Sequence, residues 1–412
     1  MRRYWRASIL AKNLVLGGFL FCLVLLIYKC KNPEIASDYF AIPPVATHWN
    51  GNGFAGSTTC IQCHSDIYKS HINTAHYKTS ARADSLNIKG SFKTGENTFT
   101  FKDRALFTMI KTDSGFYQRS NFIHNQLELA RFNLPIDIVF GSGTKGQSYL
   151  SWQDDELFQL QASYFTPADR WTNSPGLENL RAKRPVVARC MECHSTFAKN
   201  TSPDKRGNRY DQNNIIYGID CERCHGPGAK HVGYQQKHPE AKLAKYMLSY
   251  KDLTRQQRLD ACALCHSGGN REAIEPPFTF LAGDNLKDFY HPHKEEGSGS
   301  LDVHGNQYGL LTNSACFKNS PKMDCTTCHA SHENERGKSE RFNLKCISCH
   351  SQSTSSCKKE PQQTAISMTD CITCHMPLTP SKSMAVQLDG IKTSVNVRSH
   401  FIAIYQNKLP QN

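Results

Sequence analysis

Cys-x-x-Cys-His occurs seven times in this chain: Cys60/Cys63/His64, Cys190/Cys193/His194, Cys221/Cys224/His225, Cys262/Cys265/His266, Cys325/Cys328/His329, Cys346/Cys349/His350 and Cys371/Cys374/His375. These motifs use fourteen of the 18 cysteines. Paired thiols at this spacing can hold zinc, and a single pair can act as a thioredoxin-like redox couple. Neither chemistry requires a histidine directly after the second cysteine. Covalent haem attachment does: two thiols bond to the porphyrin edge, and the adjacent imidazole becomes the proximal iron ligand. Seven repeats of the full spacing point to seven covalently held haem c groups with their irons.

Eleven of the 18 histidines lie outside the motifs, against eight methionines of which one is Met1. Every iron can therefore take a second imidazole, with four to spare, and bis-histidine irons are suited to electron transfer. The apolar spacing across residues 64–83 predicts a helix. On it His76 would lie ~18 Å beyond His64, whereas two nitrogens on one iron stand only ~4 Å apart. His76 cannot complete the iron of its own motif. His332, three residues after His329, cannot reach the far face of that porphyrin, and His231, six after His225, would have to loop round the haem edge. Each must serve another motif's iron, which would hold the haems close together. His76, His231, His304, His332 and His400 are the expected second ligands. His48, His71, His124, His238, His291 and His293 are left as surface, capping or packing residues, His71 against a porphyrin or near a propionate.

The elements that position these residues are read from composition and pattern. With 39% hydrophobic and 21% charged residues over 412 positions, the chain is long enough for a folded, multi-part protein. Its net charge of +13 would ordinarily suggest nucleic acid or an anionic membrane. Six of the basic residues fall within the first 32, and haem propionates can take up much of the remaining excess, so no nucleic-acid partner is expected. Residues 9–28 form an apolar stretch, with Lys12 near its start able to snorkel, preceded by three more basic residues and followed by two. This predicts a single transmembrane signal anchor with a cytoplasmic tail at 1–8, placing the rest on the periplasmic side of an inner membrane. A cleaved signal peptide and a lipoprotein anchored at Cys30 are the alternatives.

The motif spacing predicts the remaining organisation: a first haem region at 33–91, a β-rich insertion at 92–187, haems two to four at 188–290, and haems five to seven at 291–412. Within the insertion, Thr98–Phe101, Ala105–Ile110, Phe116–Phe122, Tyr149–Trp152 and Leu157–Phe165 flank turn residues and carry hairpin signals. Elsewhere the expected fold is short helices and loops wrapped around stacked haems. Cys316 and Cys357, which flank the fifth and sixth motifs, are expected to form a disulfide, with two free thiols as the alternative.

Several segments resemble the multihaem c-type cytochrome superfamily that includes the tetrahaem electron acceptor of hydroxylamine oxidoreductase and cytochromes fused to tetratricopeptide repeats. They are Phe54-Ala55-Gly56-Ser57 with Thr74-x-His76, Cys221–His231 with its Gly226-Pro227-Gly228, Cys325–His332, and Cys371–Pro377 followed by Ser399-His400-Phe401. The family's usual Trp is His71 here, and this sequence carries no tetratricopeptide array. The resemblance implies that the isolated histidines His76, His231, His332 and His400 are distal ligands. The leading expectation is an anchored heptahaem cytochrome passing electrons between redox proteins or from quinol-linked donors. The alternative is a multihaem oxidoreductase acting on a small nitrogen or sulfur compound at one open haem.

Overall fold

A computed structural model describes residues 37–102, 105–124, 127–177, 183–269, 271–292, 301–350 and 370–405. Much of the apolar core lies in two antiparallel sheets that follow the first motif. Thr98–Phe101, Ala105–Thr112, Gly115–His124 and Leu127–Pro135 make a four-stranded sheet in chain order. Strand periodicity explains it: Ala105, Phe107 and Met109 are buried, while Leu106, Thr108 and Ile110 between them are half-buried. Thr112 pairs with Gly115, leaving Asp113-Ser114 as a two-residue turn.

The second sheet has seven strands: Ser80–Arg82, Ile138–Phe140, Gly146–Gln153, Glu156–Gln159, Ala162–Phe165, Arg170–Asn173 and Arg184–Pro185. Ser80–Arg82 comes soon after the helix Ser57–His71 that carries the first motif, and it pairs with Ile138–Phe140. The sheet is thereby fastened to that motif. One core cluster gathers Phe107, Met109, Tyr149, Leu160 and Trp171. A second gathers Phe54, Ile138, Leu150, Leu157, Phe197 and Phe278, and it includes Met191 from inside the second motif.

Strands are not confined to this part of the chain, which corrects the expected wrap of short helices and loops. Ser195–Asn200 pairs with Tyr210–Tyr217 immediately after the second motif, and Leu378–Leu388 pairs with Ile391–Arg398 after the seventh. The later hairpin has a local cause. Leu388 pairs with Ile391 across Asp389-Gly390, whose φ angles of 51° and 80° suit a tight hairpin turn, and Val386 and Val395 bury against Phe165. The inner-membrane, periplasm-facing placement is corrected as well. Among the described residues no helix is long and apolar enough to cross a membrane. The helix of the first motif, Ser57–His71, has 15 residues and carries Asp66 and Lys69, short of the ~20 apolar residues a span needs. The segment expected to span, 9–28, lies outside the described residues, as do Cys22, Cys30, His293 and Cys357.

Close packing around Trp171 gives a direct test. Trp171 is buried, its indole N–H donates to the Ser91 carbonyl at 2.7 Å, and a Cβ built on Gly90 would lie 2.1 Å from its ring. Gly90→Ala is expected to destabilise the protein by about 1–3 kcal/mol, read as a lowered denaturant midpoint.

Candidate functional site

Six of the seven motifs lie on α-helices: Ser57–His71, Ala188–His194, Cys221–His225, Arg255–His266, Ser339–His350 and Cys371–His375. The fifth begins on the 3-10 turn Cys325–Thr327. Helical residues at i, i+3 and i+4 share one face, so two thiols and an imidazole leave each helix in the same direction. Side-chain caps fix where three of these elements begin. Asp220 accepts from the Cys221 N–H, Thr254 forms a capping box with Gln257, and Asp324 forms one with Thr327.

The motif faces converge on one cavity of about 3680 Å³. All seven motif histidines line it, and so do all the motif cysteines except Cys190. Its volume is several times the ~300–1,000 Å³ of a pocket for one small ligand. Thiols from different motifs meet within it: Cys60 with Cys221, Cys193 with Cys265, Cys262 with Cys325, and Cys346 with Cys371. The motifs are therefore direct neighbours. Among the described residues, no three Cys, His, Asp or Glu side chains gather as a bare-metal site would need.

His76, His231, His304, His332 and His400 all line this cavity, whereas His48, His238 and His291 do not. Three of the five face a histidine of a distant motif. Ring centres are 6.0 Å apart for His76 and His266, 6.1 Å for His225 and His332, and 6.0 Å for His329 and His400. Two imidazoles on one iron fit this spacing: bonds of ~2 Å on each side, plus ~1 Å from each nitrogen to its ring centre, separate the centres by ~6 Å. His304 lies within electrostatic reach of both His194 and His266.

Six of the cavity histidines have an Nδ1 partner, whereas His71, which also lines the cavity, is held through Nε2. Nδ1 contacts the Leu248 carbonyl in His225 (3.0 Å), the Ala403 carbonyl in His375 (2.9 Å), the Lys245 carbonyl in His231 (2.9 Å), and the Glu335 carboxylate in His329 (3.0 Å). Gln307 Oε1 serves His266 at 3.2 Å, and Thr79 Oγ1 serves His194 at 3.2 Å. A carbonyl has no proton to give, so Nδ1 carries the hydrogen and Nε2 keeps its lone pair, as a metal-binding imidazole requires. His48, His71 and His238 are turned the other way, with Nε2 donating to the carbonyls of Phe278, Ile219 and Asp38. His48 also accepts from the Asn50 N–H on Nδ1, so both its nitrogens are occupied. His71 stands 6.2 Å from His332 and leaves Nδ1 buried without a partner.

Burial favours the neutral form of the isolated histidines His76, His332 and His400. It pushes His76 down to about 4, helped by His266, and His400 to about 4, helped by His329. His194, stacked on Phe140 with ring centres 4.5 Å apart, is also pushed to about 4 by burial. Cys316 sits on Ala315–Lys318 at the cavity wall as a free thiol. Its expected disulfide partner, Cys357, lies outside the described residues.

Buried charges that the motif pattern did not reveal hold the motif segments together. Glu192, inside the second motif and fully buried, pairs with Arg189 at 2.5 Å, accepts from the Phe278 N–H at 2.8 Å and from the Tyr290 hydroxyl, and lies 3.7 Å from Arg223 of the third motif. Glu222, inside the third motif, accepts from the N–H groups of Ala55, Gly56 and Gly228 at 2.7–2.8 Å. Glu192→Ala would leave two buried guanidiniums without their anion and is expected to cost about 3–5 kcal/mol, measured by thermal unfolding of the haem-loaded protein.

Comparison with known proteins gives one match: residues 147–226, which contain the second and third motifs, match the family of cytochrome c554 and c-prime. No curated protein and no solved structure matches the chain. The family match supports a c-type cytochrome that binds haem c and transfers electrons between redox partners.

Proposed function

We propose that the chain is a multihaem cytochrome carrying seven haem c groups, which relays electrons between redox partners through irons held mostly by two histidines. The observation that carries this reading is the set of three imidazole pairs with ring centres 6.0–6.1 Å apart, each joining a motif histidine to an isolated one. Bound haem c supplies a one-electron couple between ferric and ferrous iron.

The fourteen motif cysteines are the covalent anchors, and the seven motif histidines are the proximal ligands. His76 serves the iron of His266, His332 that of His225, and His400 that of His329. His231 and His304 are assigned to irons of the remaining motifs. Carbonyl acceptors on Nδ1 hold the proximal imidazoles of His225 and His375 in the metal-binding tautomer. The thiol contacts between motifs bring the first beside the third, the second beside the fourth, the fourth beside the fifth, and the sixth beside the seventh.

The open-haem alternative attaches to His64, His194 and His375, because none of these is in ring contact with a second imidazole among the described residues. Intact mass and electron paramagnetic resonance of the oxidised protein test both readings. The relay predicts seven haems and dominant low-spin signals, with His400→Ala converting one centre to high spin. A full-stoichiometry high-spin signal in the unmodified protein that responds to nitrite or hydroxylamine favours the enzyme. A protein purified without covalent haem overturns both.

A further inference from the structure

His329 is the one motif histidine, among those whose Nδ1 partner is described, that donates to a carboxylate; the others meet neutral oxygens. Glu335 comes from the loop between the fifth motif and the helix Ser339–His350. Its Oε2 lies 3.0 Å from His329 Nδ1, and its Oε1 accepts from the Ala330 N–H at 2.9 Å. Two anchors on one carboxylate fix it under the ring, and the Glu335 side chain is only 11% exposed. Arg341 stands 3.5 Å from Oε1 but also pairs with Glu333, so its charge is shared between two acids.

A carboxylate behind a metal-bound imidazole makes that ligand more basic and adds negative charge beside the metal. Both effects favour the more positive oxidation state and lower the reduction potential. Resting on the ligand assignment above, we infer that Glu335 is a positioning residue that sets the iron of His329 and His400 as a low-potential centre in the relay. The fourth motif adjoins it through Cys262 and Cys325. An electron reaching the fifth site is then driven onward to the fourth, where Gln307 offers His266 only a neutral amide oxygen.

Potentiometric titration of the haem-loaded protein tests this, with the relevant step identified as the one altered in His400→Ala. Glu335→Gln keeps the size and the hydrogen-bond acceptor but removes the charge. It is expected to shift reduction at this centre at least tenfold toward ferrous iron, about 59 mV upward for one electron. Arg341→Gln leaves Glu335 less compensated and is expected to shift the same step downward. If seven low-spin haems are retained and neither variant moves that step, the inference is overturned. If Glu335→Gln does not load its haems, the Arg341→Gln shift decides alone. If the unmodified protein lacks a haem at the fifth motif, or His400→Ala leaves every centre low-spin, the ligand assignment itself falls instead.

Discussion

A metal-binding imidazole is uncharged, and a partner on its outer nitrogen fixes its tautomer and orientation. That constraint organises the loops of this protein. The carbonyls of Leu248, Ala403 and Lys245 all belong to irregular segments whose own side chains do little chemistry, yet each turns a ring so that Nε2 faces the cavity. Where the protein has no such use for a histidine, as with His48 and His238, the same kind of backbone acceptor takes Nε2 instead.

The cavity also dictates where ordinary cohesion can come from. Side chains that would fill a conventional interior are displaced into the two sheets, where Phe107, Tyr149 and Trp171 pack. Around the motifs, apolar packing such as that of Met191 and Leu264 is joined by ionic and hydrogen-bonded contacts. Glu192 sits where the second, third and fourth motif segments meet, since its partner Arg189 also donates to the Leu264 carbonyl. Buried ion pairs add little net stability over apolar packing, but they fix a single arrangement, which segments this short cannot do by packing alone.

The motifs were legible in the sequence because spacing and chemistry coincide within five residues. The helix expected over residues 64–83 ends at His71, and a 3-10 turn and the strand Ser80–Arg82 follow, so helix rise did not place His76. Which rings face one another was not legible either: His76, His332 and His400 meet His266, His225 and His329 through topology, and no local pattern encodes that. What holds the remaining histidines was not legible for the same reason, since His48 is held by Phe278, 230 residues away, and His238 by Asp38, 200 away. The hairpin at residues 378–398 did carry a readable signal, Asp389-Gly390 between alternating valines. The one at 195–217 did not, because two register shifts interrupt its pairing. Glu335 stands in a run of polar residues that carries no such signal.

The facing histidines are separated by 190, 107 and 71 residues along the chain. Bringing such remote points together carries an entropic cost that no segment recovers before its counterpart has been synthesised. Closure of these contacts therefore waits on the later member of each pair, and the C-terminal His400 completes the last of them.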